Sequence, residues 1–147
     1  MIFNTGLFVK INISGLQDES SRAVHEEYDP KAHDLEFVDL TYLEKVVLNG
    51  VVEKFRDTLT FHGNLTSRIQ HVCARCLSQV EEGIDLPFQM VYEVQGKDEI
   101  DTTEDIREML ILDHPIKFLC TENCLGLCSV CGANLNSGPC KCAAPSN

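Results

Sequence analysis

The chain has 147 residues, 44% of them hydrophobic, and a net charge of −11. It is long enough for one domain with a packed core, and it has no run of 18 or more apolar residues, which excludes a membrane-spanning helix. The acidity argues against a surface built to track a phosphate backbone, because such affinity rests on Lys and Arg.

The charge is uneven. Lys117, Lys141 and Glu122 give the last 33 residues +1, which leaves −12 on the first 114. A basic protein is the natural electrostatic partner for such a body. On charge alone the plainer reading, that acidity only keeps the chain soluble, is the stronger of the two. The opening "MIFNTGLFVK" has no basic side chain ahead of its apolar residues and no small-residue cleavage site. The expected compartment is the cytoplasm, where thiols stay reduced and structural disulfides are rare.

In chain order, "LFVKINI" alternates, with Leu7, Val9, Ile11 and Ile13 on one face of a strand. Residues 14–34 are polar and acidic and read as a long mobile loop. "LEFVDL" is a short strand and "EKVVLNGVVEKF" another, with Asn49-Gly50 as a type I′ turn or a bulge. "DTLTFHGNLTSRIQHVC" is strand-like with an interruption at Gly63. In "QVEEGIDLPFQMVYEV", Val80, Ile84, Leu86, Phe88, Met90 and Tyr92 share one face at period two. Pro87 points outward and marks an edge strand or a bend. The period becomes helical once, at about residues 103–113. Ile106, Met109 and Leu110 line a stripe there, Thr102 with Asp105 suggests a capping box, and Pro115 stops the run. The expected fold is α+β: mainly an antiparallel β-sheet or barrel, one or two helices, and a cysteine-rich, zinc-ribbon-like tail. The body would span 1–114 and the tail 115–147.

Eight cysteines carry the chemistry. Cys120, Cys124, Cys128, Cys131, Cys140 and Cys142 fall within 23 residues, and Cys73 and Cys76 lie far upstream. A disulfide scaffold fits poorly, because eight in 147 is below the roughly 8–10% of such scaffolds and the compartment is reducing. A thiol–disulfide exchanger needs a βαβ context, whereas Cys73 sits between two strands. Zinc fits best. Cys128-Ser-Val-Cys131-Gly132 has the shape of a knuckle, in which glycine permits the positive-φ turn that wraps N–H groups toward sulfur. Cys140-Lys-Cys142 returns eight residues later to close a Cys₄ site, and Cys73, Cys76, Cys120 and Cys124 form a second. The 43 residues between Cys76 and Cys120 are no obstacle, because closure entropy grows only as the logarithm of length. The tail has few large apolar residues and should fold only when metallated. Four thiolates leave no open coordination position, so the metal would be structural. Two such centres would take the chain from −11 to −15.

Rival chemistry is weak. His25, His33, His62, His71 and His114 are scattered and read as surface or packing residues. Asp98, Glu99, Asp101, Glu104 and Asp105 read as a solvated loop and an acidic helix N-terminus. No P-loop, GxSxG or dinucleotide fingerprint is present.

"CARCL", "LDHPIKFLC", "CLGLCSVCGANLN" and "CKC", from about Val46 to Cys142, resemble the YceD family of large ribosomal RNA subunit accumulation proteins. The family usually has Lys and Pro where this chain has Leu125 and Ser129, a departure that leaves the ligands untouched. The resemblance implies a non-enzymatic role in 23S rRNA accumulation and large-subunit assembly. Joined to the charge, it points to a basic ribosomal protein or a pre-large-subunit particle as partner, with direct RNA contact disfavoured. A zinc-ribbon adaptor unrelated to ribosomes and a thiol redox sensor are the alternatives.

Overall fold

The computed structural model describes residues 10–113 and 117–142. The expected positions of Leu7, Val9, His114 and Pro115 lie outside them. The elements are β1 (Lys10–Asn12), β2 (Ser20–Tyr28), β3 (Leu40–Tyr42), β4 (Val46–Phe55), β5 (Thr58–Val72), β6 (Gln79–Glu93), β7 (Glu99–Asp101) and α1 (Thr103–Leu112), with 3₁₀ turns at Lys31–His33 and Leu135–Ser137.

The main sheet is antiparallel and built on β5. One side of β5 pairs with β6 over its whole length, from Thr58↔Glu93 to Val72↔Gln79. The other side pairs with β4 and then with β3. β2 extends the sheet beyond β4, and β1 and β7 form a separate two-stranded ribbon. Among the described residues β2 and β6 do not pair with each other, so the sheet is open rather than a closed barrel.

Period two places Leu59, Phe61, Leu65 and Ile69 of β5 inward, together with Leu48 and Val52 of β4. Ile106 and Leu110 of α1 join this core, as do Ile11 and Ile100 of the ribbon. β6 keeps the expected alternation, with Phe88 buried, and Pro87 faces out of an edge strand. The expected capping box does not form. Asp101 Oδ1 instead accepts the Thr103 N–H at 2.9 Å, and Asp105 Oδ2 accepts the Tyr92 hydroxyl at 2.7 Å. Burial, then Asp105, raise the Tyr92 pKa.

Further expectations are corrected. "LEFVDL" is not a strand, because β3 begins only at its last residue and Phe37 folds back on Leu40 in an isolated bridge, and β5 runs through Gly63 without interruption. Ser20–Tyr28, placed in a mobile loop, is the edge strand β2. Its residues are mostly exposed on both faces, so no alternation marks it. Asn49-Gly50 is neither a turn nor a bulge, because the β2–β4 and β4–β5 registers run through it without a break. The turn falls at Arg56-Asp57. Arg56 has φ +54°, and the Asp18 side chain accepts its N–H from 38 residues away. Gly50 and Gly63 are instead cross-strand partners: a Cβ at Gly50 would meet the rings of Phe61 and Phe88, an edge-to-face pair 5.0 Å apart, and one at Gly63 would meet the β4 backbone.

Candidate metal centre

β5 and β6 are joined by Cys73-Ala-Arg-Cys76-Leu77-Ser78, so the loop of the longest hairpin is itself a CxxC turn. The Cys73 N–H donates to the Ser78 carbonyl (2.9 Å) and the Leu77 N–H to the Cys73 carbonyl (3.0 Å). Leu77 has φ +60°, and the Arg75 N–H points at Cys73 Sγ (3.5 Å). The tail repeats this turn: Cys128 N–H to the Ala133 carbonyl (2.8 Å), Gly132 N–H to the Cys128 carbonyl (2.9 Å), Gly132 φ +74°, Val130 N–H to Cys128 Sγ (3.4 Å). The same six-residue turn therefore occurs twice, once on the body's hairpin and once in the tail.

Leucine replaces glycine in the first turn, at a conformation costing an L-residue about 1 kcal/mol. Leu77 is 63% exposed, so its packing contributes little. Leu77→Gly should raise stability by up to about 0.5 kcal/mol, after the extra freedom glycine gives the unfolded chain is subtracted. Denaturant midpoints of the two proteins would check this, and a lower midpoint would contradict it.

The eight sulfurs fall into the two expected groups, and in each group all four lie within 4.8 Å of one another. In the inner group Cys73 Sγ is 3.7 Å from Cys124 Sγ and Cys76 Sγ is 3.6 Å from Cys120 Sγ. In the outer group Cys128 Sγ is 3.5 Å from Cys140 Sγ. A tetrahedron of sulfurs about 2.3 Å from a zinc ion has edges of about 3.8 Å, so the donor sets fit that ion. The inner group is more enclosed: Cys73, Cys76 and Cys124 are buried, whereas in the outer group Cys131 is exposed. The segment before Cys120 docks through the Ala74 N–H to the Phe118 carbonyl (2.8 Å), and Arg75 Nη1 donates to the Cys124 carbonyl (3.0 Å). His71 is no ligand in either group. It is buried, stacks on Phe118 at 4.4 Å and meets Glu82 Oε1 through Nε2 at 3.1 Å.

The thiols are electrostatically unequal. Backbone hydrogen bonding, from Cys76 foremost, lowers Cys73 to about 5. Backbone hydrogen bonds from Cys131 and Val130 lower Cys128 to about 6. The side chain of Ser78, 2.8 Å away, lowers Cys76. Interaction with Cys124 pushes Cys120 up to about 11, and interaction with Cys131 pushes Cys142 up to about 11. In the folded arrangement each group thus sets a thiol of lowered pKa beside one of raised pKa. A metal ligand must be a thiolate, so a cation must displace protons from the thiols it gathers, and affinity should rise with pH through neutrality. Metal added to reduced apo-protein in dilute buffer should release at least one proton per ion, as read by a pH indicator. Uptake without proton release would contradict this.

Residues 93–147 match the family described as "Large ribosomal RNA subunit accumulation protein YceD". The "Large ribosomal RNA subunit accumulation protein YCED homolog 1, chloroplastic" of Zea mays is 37% identical over 68 residues, which are 46% of this chain and 23% of that protein. The protein of the same description from Arabidopsis thaliana is 43% identical over 44 residues, 30% of this chain and 14% of its own length. The chain thus spans less than a quarter of these curated relatives. No solved structure matches. The resemblance to the YceD family is therefore shown over a segment that holds six of the eight cysteines. Cys73 and Cys76 lie outside the family match and reach it only through the fold.

Proposed function

From the YceD relationship of residues 93–147 we propose that this chain supports the accumulation of large-subunit ribosomal RNA, as a non-enzymatic, zinc-stabilised adaptor in the cytoplasm. The observation that carries this reading is the family match across the cysteine tail. Cys73, Cys76, Cys120 and Cys124 would hold one zinc ion, and Cys128, Cys131, Cys140 and Cys142 the other. Zinc with four thiolates supplies rigidity and offers no open position for substrate, which supports a role without catalysis. The acidic surface supports a basic partner such as a ribosomal protein within a pre-large-subunit particle. On β6 alone Glu81, Glu82, Asp85 and Glu93 are exposed.

Affinity purification from cells, followed by sedimentation, tests the role. The chain should travel with precursor large subunits; its absence from them would remove the ribosomal reading. A salt series separates adaptor from RNA binder. Binding to large-subunit proteins should weaken as the Debye length falls from about 10 Å at 0.1 M to about 3 Å at 1 M. Tight binding to naked 23S rRNA fragments with no protein partner would overturn the adaptor reading alone.

A further inference from the structure

Asn136 belongs to the outer half of the tail, yet its side chain works on the inner group. It sits in the 3₁₀ turn Leu135–Ser137, between Cys131 and Cys140. Its Nδ2 donates to Cys124 Sγ at 3.3 Å and to Asn134 Oδ1 at 3.0 Å. Its Oδ1 accepts the Leu125 N–H at 2.9 Å, and its own N–H donates to Asn134 Oδ1 at 3.0 Å. One amide therefore grips both a sulfur of the inner group and the backbone beside it. The Leu135 N–H adds a bond to the Gly126 carbonyl at 2.9 Å.

None of the three residues of that turn is buried, so the hydrophobic core does not hold it in place. The eight residues between Cys131 and Cys140 are instead tied at both ends to the outer sulfurs. With the outer sulfurs gathered on one ion, the loop is closed and Asn136 faces Cys124. With them released, the loop keeps only exposed polar bonds such as Leu135 N–H to the Gly126 carbonyl and the Leu127–Asn134 bridge, which water competes for.

We infer that Asn136 is a positioning residue that couples the two metal sites, so that filling the outer site raises the inner site's affinity through the amide bond to Cys124. An N–H donor to a metal-bound thiolate stabilises its charge and fixes its direction, and outer partners of this kind change metal affinity by about 10–100-fold. Linkage makes the coupling reciprocal, so an ion in the inner site must strengthen the outer one by the same factor. This inference rests on the two-ion reading above.

The test uses the full chain, Zn²⁺ or Co²⁺ as the metal, and a competing chromophoric chelator. Four proteins are compared: the natural chain, Asn136→Leu, an outer-site knockout (Cys128→Ser with Cys140→Ser), and the knockout carrying Asn136→Leu. The inner site should weaken by about tenfold or more in Asn136→Leu and by a similar factor in the knockout. Asn136→Leu should add little in the knockout, where the amide is no longer held in place. Removing the inner site with Cys73→Ser and Cys76→Ser should weaken the outer site by the same factor. In the Co²⁺ form the thiolate charge-transfer band should move to lower energy in Asn136→Leu, because a sulfur without its N–H donor gives up an electron more easily. Asn136→Asp keeps the acceptor for Leu125 but sets oxygen against sulfur, so it should weaken the inner site at least as much as leucine. Two ions with unchanged inner affinity in Asn136→Leu would overturn the coupling alone, as would an equal loss in the knockout background. A loss of affinity with an unmoved band would overturn the hydrogen-bond route. A stoichiometry below two in the natural chain would overturn the two-ion reading and the coupling with it.

Discussion

Removing metal should unfold residues 117–142 while leaving the sheet intact. In the described tail only Phe118, Cys124 and Gly126 are buried, whereas Leu125 and Val130 are 67% and 73% exposed. The tail's order therefore rests on its sulfurs and a few backbone bonds. Structural zinc contributes apparent values of about 10–16 kcal/mol, more than those bonds provide. The sheet has its own core on β4, β5 and α1, independent of the sulfurs. A strong chelator under reducing conditions should abolish amide protection at 125–135 and preserve it at Leu59–Ile69. Metal per chain should read two before treatment, and one after Cys73→Ser with Cys76→Ser. Unchanged protection at 125–135 in metal-free protein would contradict the dependence, and a ratio near zero in freshly purified reduced protein would remove the metal altogether.

Gly63→Ala should be the most damaging single substitution in the sheet. A Cβ there would lie 2.1 Å from the Asn49 carbonyl oxygen and 2.5 Å from the Gly50 Cα. Both are backbone atoms, so relief requires β4 and β5 to separate. Overpacking of well-packed sites costs about 1–3 kcal/mol and occasionally more. A backbone clash in the central strand belongs at or above the upper end, enough to leave a large unfolded fraction in a marginally stable domain. Gly83→Ala is the control, because its nearest neighbour, the Ser67 carbonyl oxygen, would be at ordinary contact distance, 4.0 Å. Urea melts of the two variants would decide the matter, and equal midpoints would show that the strands yield easily.

Where one face of an element is wet and the other dry, the sequence revealed it. Alternation in β6 and the 3.6-residue stripe of α1 both mark faces turned toward the core. β2 escaped because its residues are mostly exposed, so no selection for burial shaped its pattern. The break between β4 and β5 was legible, but the tight turn there was not, because Arg56-Asp57 has no turn glycine and is held by distant Asp18. Asn49-Gly50 misled because glycine there serves close ring packing rather than turn geometry. The division of eight cysteines into two sets of four followed from spacing and is the grouping in space. The role of Asn136 was invisible, since it depends on which sulfur the folded loop happens to face.

The inner group draws two of its sulfurs from the β5–β6 hairpin and two from a segment beginning 44 residues after Cys76. During synthesis at about 5–20 residues per second, the first pair is made some 2–9 s before Cys120 is added to the chain. For that interval the nascent chain carries a dithiol with half its ligands missing, and for the first 17 residues of it the second strand of the hairpin, β6, is itself still being made. A lone dithiol binds soft cations loosely and is open to oxidants, so the growing chain is more vulnerable than the finished one. Closure of the inner group is therefore a late event set by the order of translation, and the newborn hairpin depends on the reducing state around it until the tail arrives.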